Sequence, residues 1–175
     1  IKTYVIKEDD HTLQGAIQRE LRRGGQIFIV HNRVQDMENY VQYIRELAPE
    51  AKIVYAHGQM PESDLERAML DFVQGKFNIL LCTSIIESGL DIPRANTIIV
   101  NRADAFGLAQ LYQIRGRVGR GRERAYAVLL VPNDRRITPE AKERLQVLQR
   151  FTDLGAGFKI ARHDLELRGA GNLLG

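Results

Sequence analysis

Short apolar runs alternate with stretches of helical periodicity along most of this chain. The runs are rich in β-branched residues and lie at 3–6, 27–31, 53–56, 79–82, 97–100 and 125–131. The helical stretches lie at 12–23, 35–48, 61–74 and 108–114, and one of them places Met37, Tyr40, Val41, Ile44 and Leu47 at steps of three and four. Continuous apolar runs separated by helices are typical of strands that are buried on both sides. The pattern predicts an α/β fold with a mostly parallel sheet and helices on both faces.

The pattern changes after residue 132. A helix is predicted over 138–151, with Pro139 near its start, and a Gly-Ala-Gly break follows at 155–157. We therefore predict two units, an α/β domain over 1–133 and a C-terminal helical hairpin with a loop over 134–175.

Composition restricts the class of protein. The net charge of +3 and the hydrophobic fraction of 44% are ordinary for a globular domain. One cysteine, Cys82, lies in an apolar run and is expected in the core, where it has no cysteine in this chain to pair with. The sequence contains no signal peptide and no apolar run long enough to span a membrane, so we expect a cytoplasmic protein. Neither end resembles a natural terminus, and we expect the chain to be part of a larger protein.

Positive charge is concentrated near residue 115. Residues 110–124 contain five arginines and one acid, which favours binding to polyanions. Arg117 and Arg120 are three positions apart and each follows a glycine. On a helix they would share a face, where two guanidinium groups could bind phosphate oxygens. The alternative is a basic surface helix that contacts nothing.

A second polar block, TSIIESGLDIP at 83–93, follows the strand predicted to end at Cys82. Its hydroxyl groups could hold a nucleic-acid phosphate, Gly89 would allow close approach of a ligand, and Asp91 could accept a hydrogen bond from a ribose. The alternative is a simple strand-to-turn connection. His31 and His57 also follow apolar strands, where a histidine is often only a satisfied strand-end residue.

Together these blocks resemble superfamily 2 helicases and translocases. Residues 83–93 are similar to motif V, 113–120 (QIRGRVGR) to motif VI and 28–32 (FIVHN) to motif IV, so that the likeness covers most of 20–132. A closer resemblance is to the double-stranded DNA translocases of the RecG type, and it lies in FGLAQL at 106–111 and HDLELRGAG at 163–171. Within that group, the transcription-repair coupling branch is the most similar, in GAGF at 155–158 and HDLELRGAGNLLG at 163–175. The resemblance implies a second RecA-like motor lobe followed by a translocation motif.

The resemblance also implies roles for individual residues. Arg117 and Arg120 would reach the phosphates of ATP, with Arg120 the γ-phosphate finger. Three further residues would line the nucleotide cleft: Gln113, Gly89 and Asp91. Six would face the DNA: Thr83, His31, Asn32, Arg33, His57 and Gly58. Arg168 would couple the nucleotide state to the grip on DNA.

The chain contains neither a Gly-x-x-x-x-Gly-Lys-[Ser/Thr] phosphate loop nor an acidic Asp-Glu box. The resemblance therefore implies that ATP and Mg²⁺ are held by the first RecA-like lobe of the same protein, and we predict that this chain alone is inactive as an ATPase. The implied partners are double-stranded DNA, with RNA polymerase and excision-repair proteins bound through other domains, and no membrane. We predict no bound zinc, because no pair of histidines has ligand spacing.

Two other functions remain open. One is a motor lobe of a RecG-type helicase that remodels branched DNA, and the other is a catalytically silent DNA-binding module. A dinucleotide-dependent enzyme is disfavoured, because no Gly-x-Gly-x-x-Gly follows the first strands.

Overall fold

The residues that the structure describes form a six-stranded sheet in which every strand pair is parallel. A computed structural model describes residues 1–31, 34–83, 95–116, 124–132 and 137–150. The strands are β1 (Lys2–Lys7), β2 (Gln26–Val30), β3 (Ile53–Ala56), β4 (Ile79–Cys82), β5 (Ala95–Val100) and β6 (Tyr126–Val131). The helices are α1 (Asp10–Arg22), α2 (Met37–Leu47), α3 (Glu62–Val73), α4 (Leu108–Arg115) and α5 (Pro139–Arg150), with short 3-10 helices at Val34–Asp36 and Ala103–Ala105. The predicted parallel sheet is confirmed.

The strand order is β1-β6-β5-β2-β4-β3. Val30 at the end of β2 pairs with Cys82 on one side and Val100 on the other, and Cys82 pairs with Ala56 at the end of β3. The carboxyl ends of four neighbouring strands are therefore level. Residues that follow these strands meet at one edge of the sheet, which we call the carboxyl edge.

Alternate residues of each strand feed two hydrophobic cores. In β2, Ile27 and Ile29 pack against α1 and α2, whereas Phe28 and Val30 pack on the face covered by α3, α4 and α5. Both faces are covered, which explains why the central strands are apolar at successive positions rather than at every second one. Cys82 is buried in the core on the face covered by α3, α4 and α5 and is a free cysteine, as predicted.

The helices begin and end where the sequence provides the appropriate residues. The carboxylate of Asp9 accepts a hydrogen bond from the backbone N–H of Thr12 at 3.0 Å and so caps α1. Gly75 follows α3 with a φ of 84°, a left-handed conformation that favours glycine after the end of a helix. The predicted helix 35–48 differs at its start: the chain forms a 3-10 helix at Val34–Asp36 before the α-helical part begins at Met37.

Helix α5 packs on the sheet core. The Thr138 hydroxyl accepts a hydrogen bond from the N–H of Ala141 at 3.1 Å, which confirms the predicted start of this helix. Leu145, Val147 and Leu148 join the core formed by α3 and α4. Residues 151–175 lie outside the described part of the chain, so the second helix of the predicted hairpin and the division at 133/134 stay predictions.

Candidate functional site

Four polar residues form a row along the carboxyl edge. Asn101, His31, Thr83 and His57 are the first residues after β5, β2, β4 and β3, which are neighbours in that order. The N–H of His31 donates to the carbonyl of Cys82 at 2.8 Å, and the N–H of Asn101 donates to the carbonyl of Val30 at 2.9 Å, so that the parallel pairing extends into the row. The structure thus places the predicted site residues His31, Thr83 and His57 in one row, together with Asn101, which was not predicted.

His31 has both ring nitrogens engaged inside the protein. The side-chain amide of Asn101 donates to Nδ1 at 2.9 Å, so the neutral ring carries its proton on Nε2 and donates it to the carboxylate of Asp36 at 2.5 Å. The ring is 6% exposed and stacks on Tyr40 with 4.2 Å between centroids. His31 therefore links β2, β5 and the start of α2, which is the behaviour of a satisfied strand-end histidine. Its predicted contact with DNA stays a prediction.

The Tyr40 ring forms the floor of this cluster. Burial, reinforced by the nearby Tyr43 and Glu8, raises the pKa of the Tyr40 phenol above its ordinary value. Tyr43, which packs beside Tyr40, donates its hydroxyl to the carboxylate of Asp10. The Tyr40 phenol therefore stays protonated and neutral over the physiological pH range.

Thr83 is the most deeply buried of the four residues in the row. The residue is 3% exposed, and its Oγ1 atom has no hydrogen-bond partner among the described residues. A buried hydroxyl without a partner costs about 1–3 kcal/mol, so such groups in native proteins usually mark a place where a ligand or water binds. Thr83 is therefore suited to bind a polar ligand that approaches the carboxyl edge.

His57 and Gly58 open the turn after β3, at one end of the row. The His57 ring is half-buried and lies beside the Tyr55 ring, and Gly58 is exposed. A ligand that passes along the carboxyl edge can reach both residues. Their geometry fits the predicted interface, and their contact with DNA stays a prediction.

Helix α4, which leads into the arginine-rich segment, has a buried and an exposed face. Leu108, Leu111 and Arg115 lie on the buried face, while Gln113 is exposed. Gln113 is thus available to a partner from outside the described chain, as its predicted place in a nucleotide cleft requires. That role stays a prediction.

Arg115 is buried, although it belongs to the cluster of positive charge in residues 110–124. The residue is 1% exposed; its Nη1 atom donates to the Thr3 hydroxyl at 3.2 Å and to the carbonyl of Leu148 at 3.1 Å. Its guanidinium lies 5.2 Å from the centroid of the Tyr112 ring. One of the five arginines counted in 110–124 therefore ties α4 to β1 and to the last turn of α5. The spacing of Leu108, Leu111 and Arg115 at i, i+3 and i+7 was the available signal for this burial.

The sequence of this chain is closely similar to those of known proteins. The chain matches the model of the helicase conserved C-terminal domain over residues 10–122. The chain belongs to the helicase conserved C-terminal domain family. It is 62% identical to the transcription-repair-coupling factor of Myxococcus xanthus and 53% identical to that of Escherichia coli strain K12, in each case over the whole of this chain. The chain spans 15% of the length of these curated relatives. The resemblance to the transcription-repair coupling branch is therefore confirmed.

Solved structures agree with this helicase-family assignment. A structure of RecG bound to a three-way DNA junction superposes with a TM-score of 0.82 at 37% identity, and the match covers 98% of this chain and 23% of that one. The DEAD-box helicase Mss116p, domain 2 bound to an RNA duplex, gives a TM-score of 0.64 at 17% identity, over 85% of this chain and 59% of that one. The second likeness shows the fold alone. The RecG likeness supports the helicase lobe predicted from the sequence, and both likenesses support its RecA-like fold.

Several predicted helicase-site residues lie outside the described part of the chain, and their roles stay predictions. They comprise both finger arginines, two nucleotide-cleft residues, two DNA-facing residues and the coupling arginine: Arg117, Arg120, Gly89, Asp91, Asn32, Arg33 and Arg168. Within the described ranges, no group of three or more His, Cys, Asp or Glu residues could hold a metal ion. None of the helices in those ranges is long and apolar enough to cross a membrane.

Proposed function

We propose that this chain is the C-terminal motor lobe of an ATP-dependent double-stranded DNA translocase that displaces stalled RNA polymerase in transcription-coupled repair. The choice of translocase is supported by the 62% identity to a transcription-repair-coupling factor over the whole chain. The geometric observation that carries the DNA part is the carboxyl-edge row, in which the buried Thr83 hydroxyl has no partner among the described residues.

DNA passes along the carboxyl edge in this proposal. Thr83, His57 and Gly58 contact the sugar–phosphate backbone, and Asn32 and Arg33 extend that contact from the segment after β2. His31 holds the edge in shape through Asn101 and Asp36. Contacts to phosphates carry no sequence information, so binding is sequence-independent and weakens steeply with salt.

ATP binds between this lobe and a first lobe of the same polypeptide, which supplies the phosphate loop and the Mg²⁺ site. Gln113, exposed on α4, faces the nucleotide, with Gly89 and Asp91 at its ribose edge. Arg117 and Arg120 follow α4 directly and stabilise charge on the γ-phosphate as fingers do in related motors. Arg168 transmits lobe closure to the grip on DNA.

ATP turnover on linear duplex DNA tests the proposal. Three proteins are compared: this chain alone, the full-length polypeptide that carries it, and the full-length polypeptide with Arg120→Ala. We expect turnover from the full-length wild type only, and a loss of kcat of roughly 10³-fold or more for Arg120→Ala. Arg45→Ala, which removes an exposed arginine from the last turn of α2, is the matched control and leaves kcat unchanged.

An inactive full-length protein, or a harmless Arg120→Ala, would reject the motor and favour a silent DNA-binding module. Displacement is tested separately with an RNA polymerase stalled on duplex DNA: the full-length protein should release it only with ATP.

A RecG-type motor for branched DNA is the second candidate, and the TM-score of 0.82 to the junction-bound RecG structure favours it. The same full-length protein distinguishes the two. Unwinding of a three-way junction without release of stalled polymerase supports the second candidate, and the reverse supports the first.

A further inference from the structure

A groove lies between helix α1 and strand β1, and the residues that the structure describes leave it unfilled. Its volume is about 340 Å³, at the lower end of the range of ligand-binding pockets. Tyr4 and Ile6 of β1 line one side, Gly15 and Arg19 of α1 line the other, and Val128 of β6 also contributes. Strand β6 separates β1 from β5, the nearest strand of the carboxyl-edge row, so the groove is distinct from that row.

The groove exists because α1 covers β1 incompletely. Side chains alternate along a strand, so Tyr4 and Ile6 share the face of the sheet on which α1 lies, and both stay half-buried. The stripe of α1 that lines the groove recurs at steps of three and four and has two of the smallest residues at its centre: Thr12, Gly15, Ala16 and Arg19.

Gly15 has no evident role inside the described part of the chain. Glycine in the middle of a helix is less stable than alanine, and a positive φ or a close neighbour usually accounts for it. Gly15 does not have a positive φ, and a Cβ atom added there meets nothing within 4 Å. An occupant that approaches α1 from outside would account for the absence of a side chain.

Positive charge is held at one end of the groove by two aromatic rings. The Arg19 guanidinium lies 3.8 Å from the centroid of the Tyr126 ring, and the Lys2 ammonium lies 5.5 Å from the centroid of the Tyr4 ring. The two tyrosines are stacked with 6.4 Å between their centroids. These contacts fix the direction of both cations before any ligand binds.

The nearby carboxylate does not neutralise Arg19. Glu20 is 1% exposed and pairs with Arg23 at 2.7 Å, and it also accepts a hydrogen bond from Thr97. The buried Nε atom of Arg19 has no hydrogen-bond partner among the described residues. An arginine keeps its charge at every physiological pH, so this end of the groove favours an anionic group.

The opposite end of the groove is acidic. Asp9 accepts a hydrogen bond from Thr12, and Asp10 begins α1 beside it. A polyanion such as nucleic acid would be repelled there, whereas a peptide with one carboxylate and an apolar neighbour fits both the charge and the apolar walls.

We propose that this groove is a docking site for an acidic segment from another domain of the same polypeptide, with a carboxylate paired to Arg19 and an apolar side chain against Tyr4 and Ile6. The chain spans 15% of the length of its curated relatives, so a covalently linked segment would be present at high effective concentration. The docking requires neither DNA nor ATP and so goes beyond the proposed motor.

Carbodiimide cross-linking of the full-length polypeptide tests the docking, because this reagent joins a carboxylate to a lysine amine that contacts it. In wild type, mass spectrometry should find Lys2 joined to an Asp or Glu outside residues 1–175. Arg19→Lys keeps the charge and adds a reactive amine, which should be joined to the same segment. Arg45→Lys, at an exposed arginine of α2, is the matched control and should not be joined to it.

Two further variants test the contacts themselves. Arg19→Glu removes a charge-assisted bond and should reduce the Lys2 cross-link by about 10–100-fold. Gly15→Leu fills the groove and should abolish the cross-link. Thermal melting should show no loss of stability in Gly15→Leu, since leucine favours a helix more than glycine does. If it does melt lower, Arg19→Glu alone decides.

Three results would overturn the docking. The first is that neither Lys2 nor Arg19→Lys is joined to a residue outside 1–175. The second is a Lys2 cross-link that persists in Arg19→Glu. The third is a yield that rises with protein concentration, which shows that the occupant belongs to a second molecule. ATP turnover and DNA binding are measured separately, so each of these results leaves the proposed motor intact.

Discussion

Replacing Arg115 with methionine should destabilise the whole lobe. The arginine is almost completely buried and bonds the Thr3 hydroxyl of β1 and the Leu148 carbonyl of α5. Methionine keeps an unbranched stem of similar path and removes the donors. The substitution therefore tests the tether between three elements without opening a large cavity.

The magnitude follows from the groups that lose their donor. Each buried acceptor left without a partner costs about 1–3 kcal/mol, and among the described residues two acceptors, the Thr3 hydroxyl and the Leu148 carbonyl, lose this donor. The buried charge disappears together with its donors, so its own desolvation cost is also removed. We therefore expect the free energy of unfolding to fall by about 2–4 kcal/mol, which for a domain of this size lowers Tm by roughly 6–12 °C.

Equilibrium unfolding in urea measures this change, with the midpoint and the m-value fitted together. Arg45→Met is the matched control, because Arg45 is an exposed arginine near a helix end, and it should change the free energy of unfolding by about 0.5 kcal/mol or less. Arg115→Lys should also destabilise, since an ammonium lacks the planar fork. A loss for Arg115→Met no larger than that of the control would refute the tether.

Three further predictions concern single positions. Gly15→Ala in α1 should raise the free energy of unfolding by about 0.5–1 kcal/mol, because the added methyl group meets nothing within 4 Å. Gly24→Ala should lower the free energy of unfolding, because the φ of Gly24 is +74°. Urea unfolding of the two variants measures both changes. Cys82 should resist alkylation by iodoacetamide in the folded protein, since burial raises its thiol pKa to about 12, and should react once the chain is unfolded. The hydrogen bonds to Thr12 lower the pKa of the Asp9 carboxyl, so Asp9→Ala should lower Tm near neutral pH. The difference in Tm between wild type and Asp9→Ala should shrink as the pH falls through the lowered pKa, because the protonated carboxyl loses this stabilisation.

The strands and most helices could be predicted from the sequence because their signal is local. An apolar run such as 79–82 can be buried on both faces only inside a covered sheet, and β4 occupies Ile79–Cys82 as predicted. The order of strands was not predictable in this way, because the pairing of β2 with both β4 and β5 depends on contacts between distant segments.

The site was predictable in part. His31, Thr83 and His57 were expected at strand ends, and all three lie on one edge. The engagement of His31 by Asn101 and Asp36 could not be anticipated, since it depends on which strand lies beside β2. The burial of Arg115 was missed because charge was counted along the sequence without asking which face of α4 each arginine occupies.

The place of β1 in the sheet has a consequence for how the protein is made. Among the described strands its single neighbour in the sheet is β6, and Lys2 pairs with Tyr126, 124 positions further along the chain. At a synthesis rate of about 5–20 residues per second, β1 leaves the ribosome roughly 6–25 s before its partner exists. During that interval the Tyr4, Val5 and Ile6 side chains of β1 are exposed to chaperones and to other nascent chains. Among the described strands this pairing joins the segments that lie farthest apart in the sequence, so the synthesis of β6 is what allows β1 to enter the sheet.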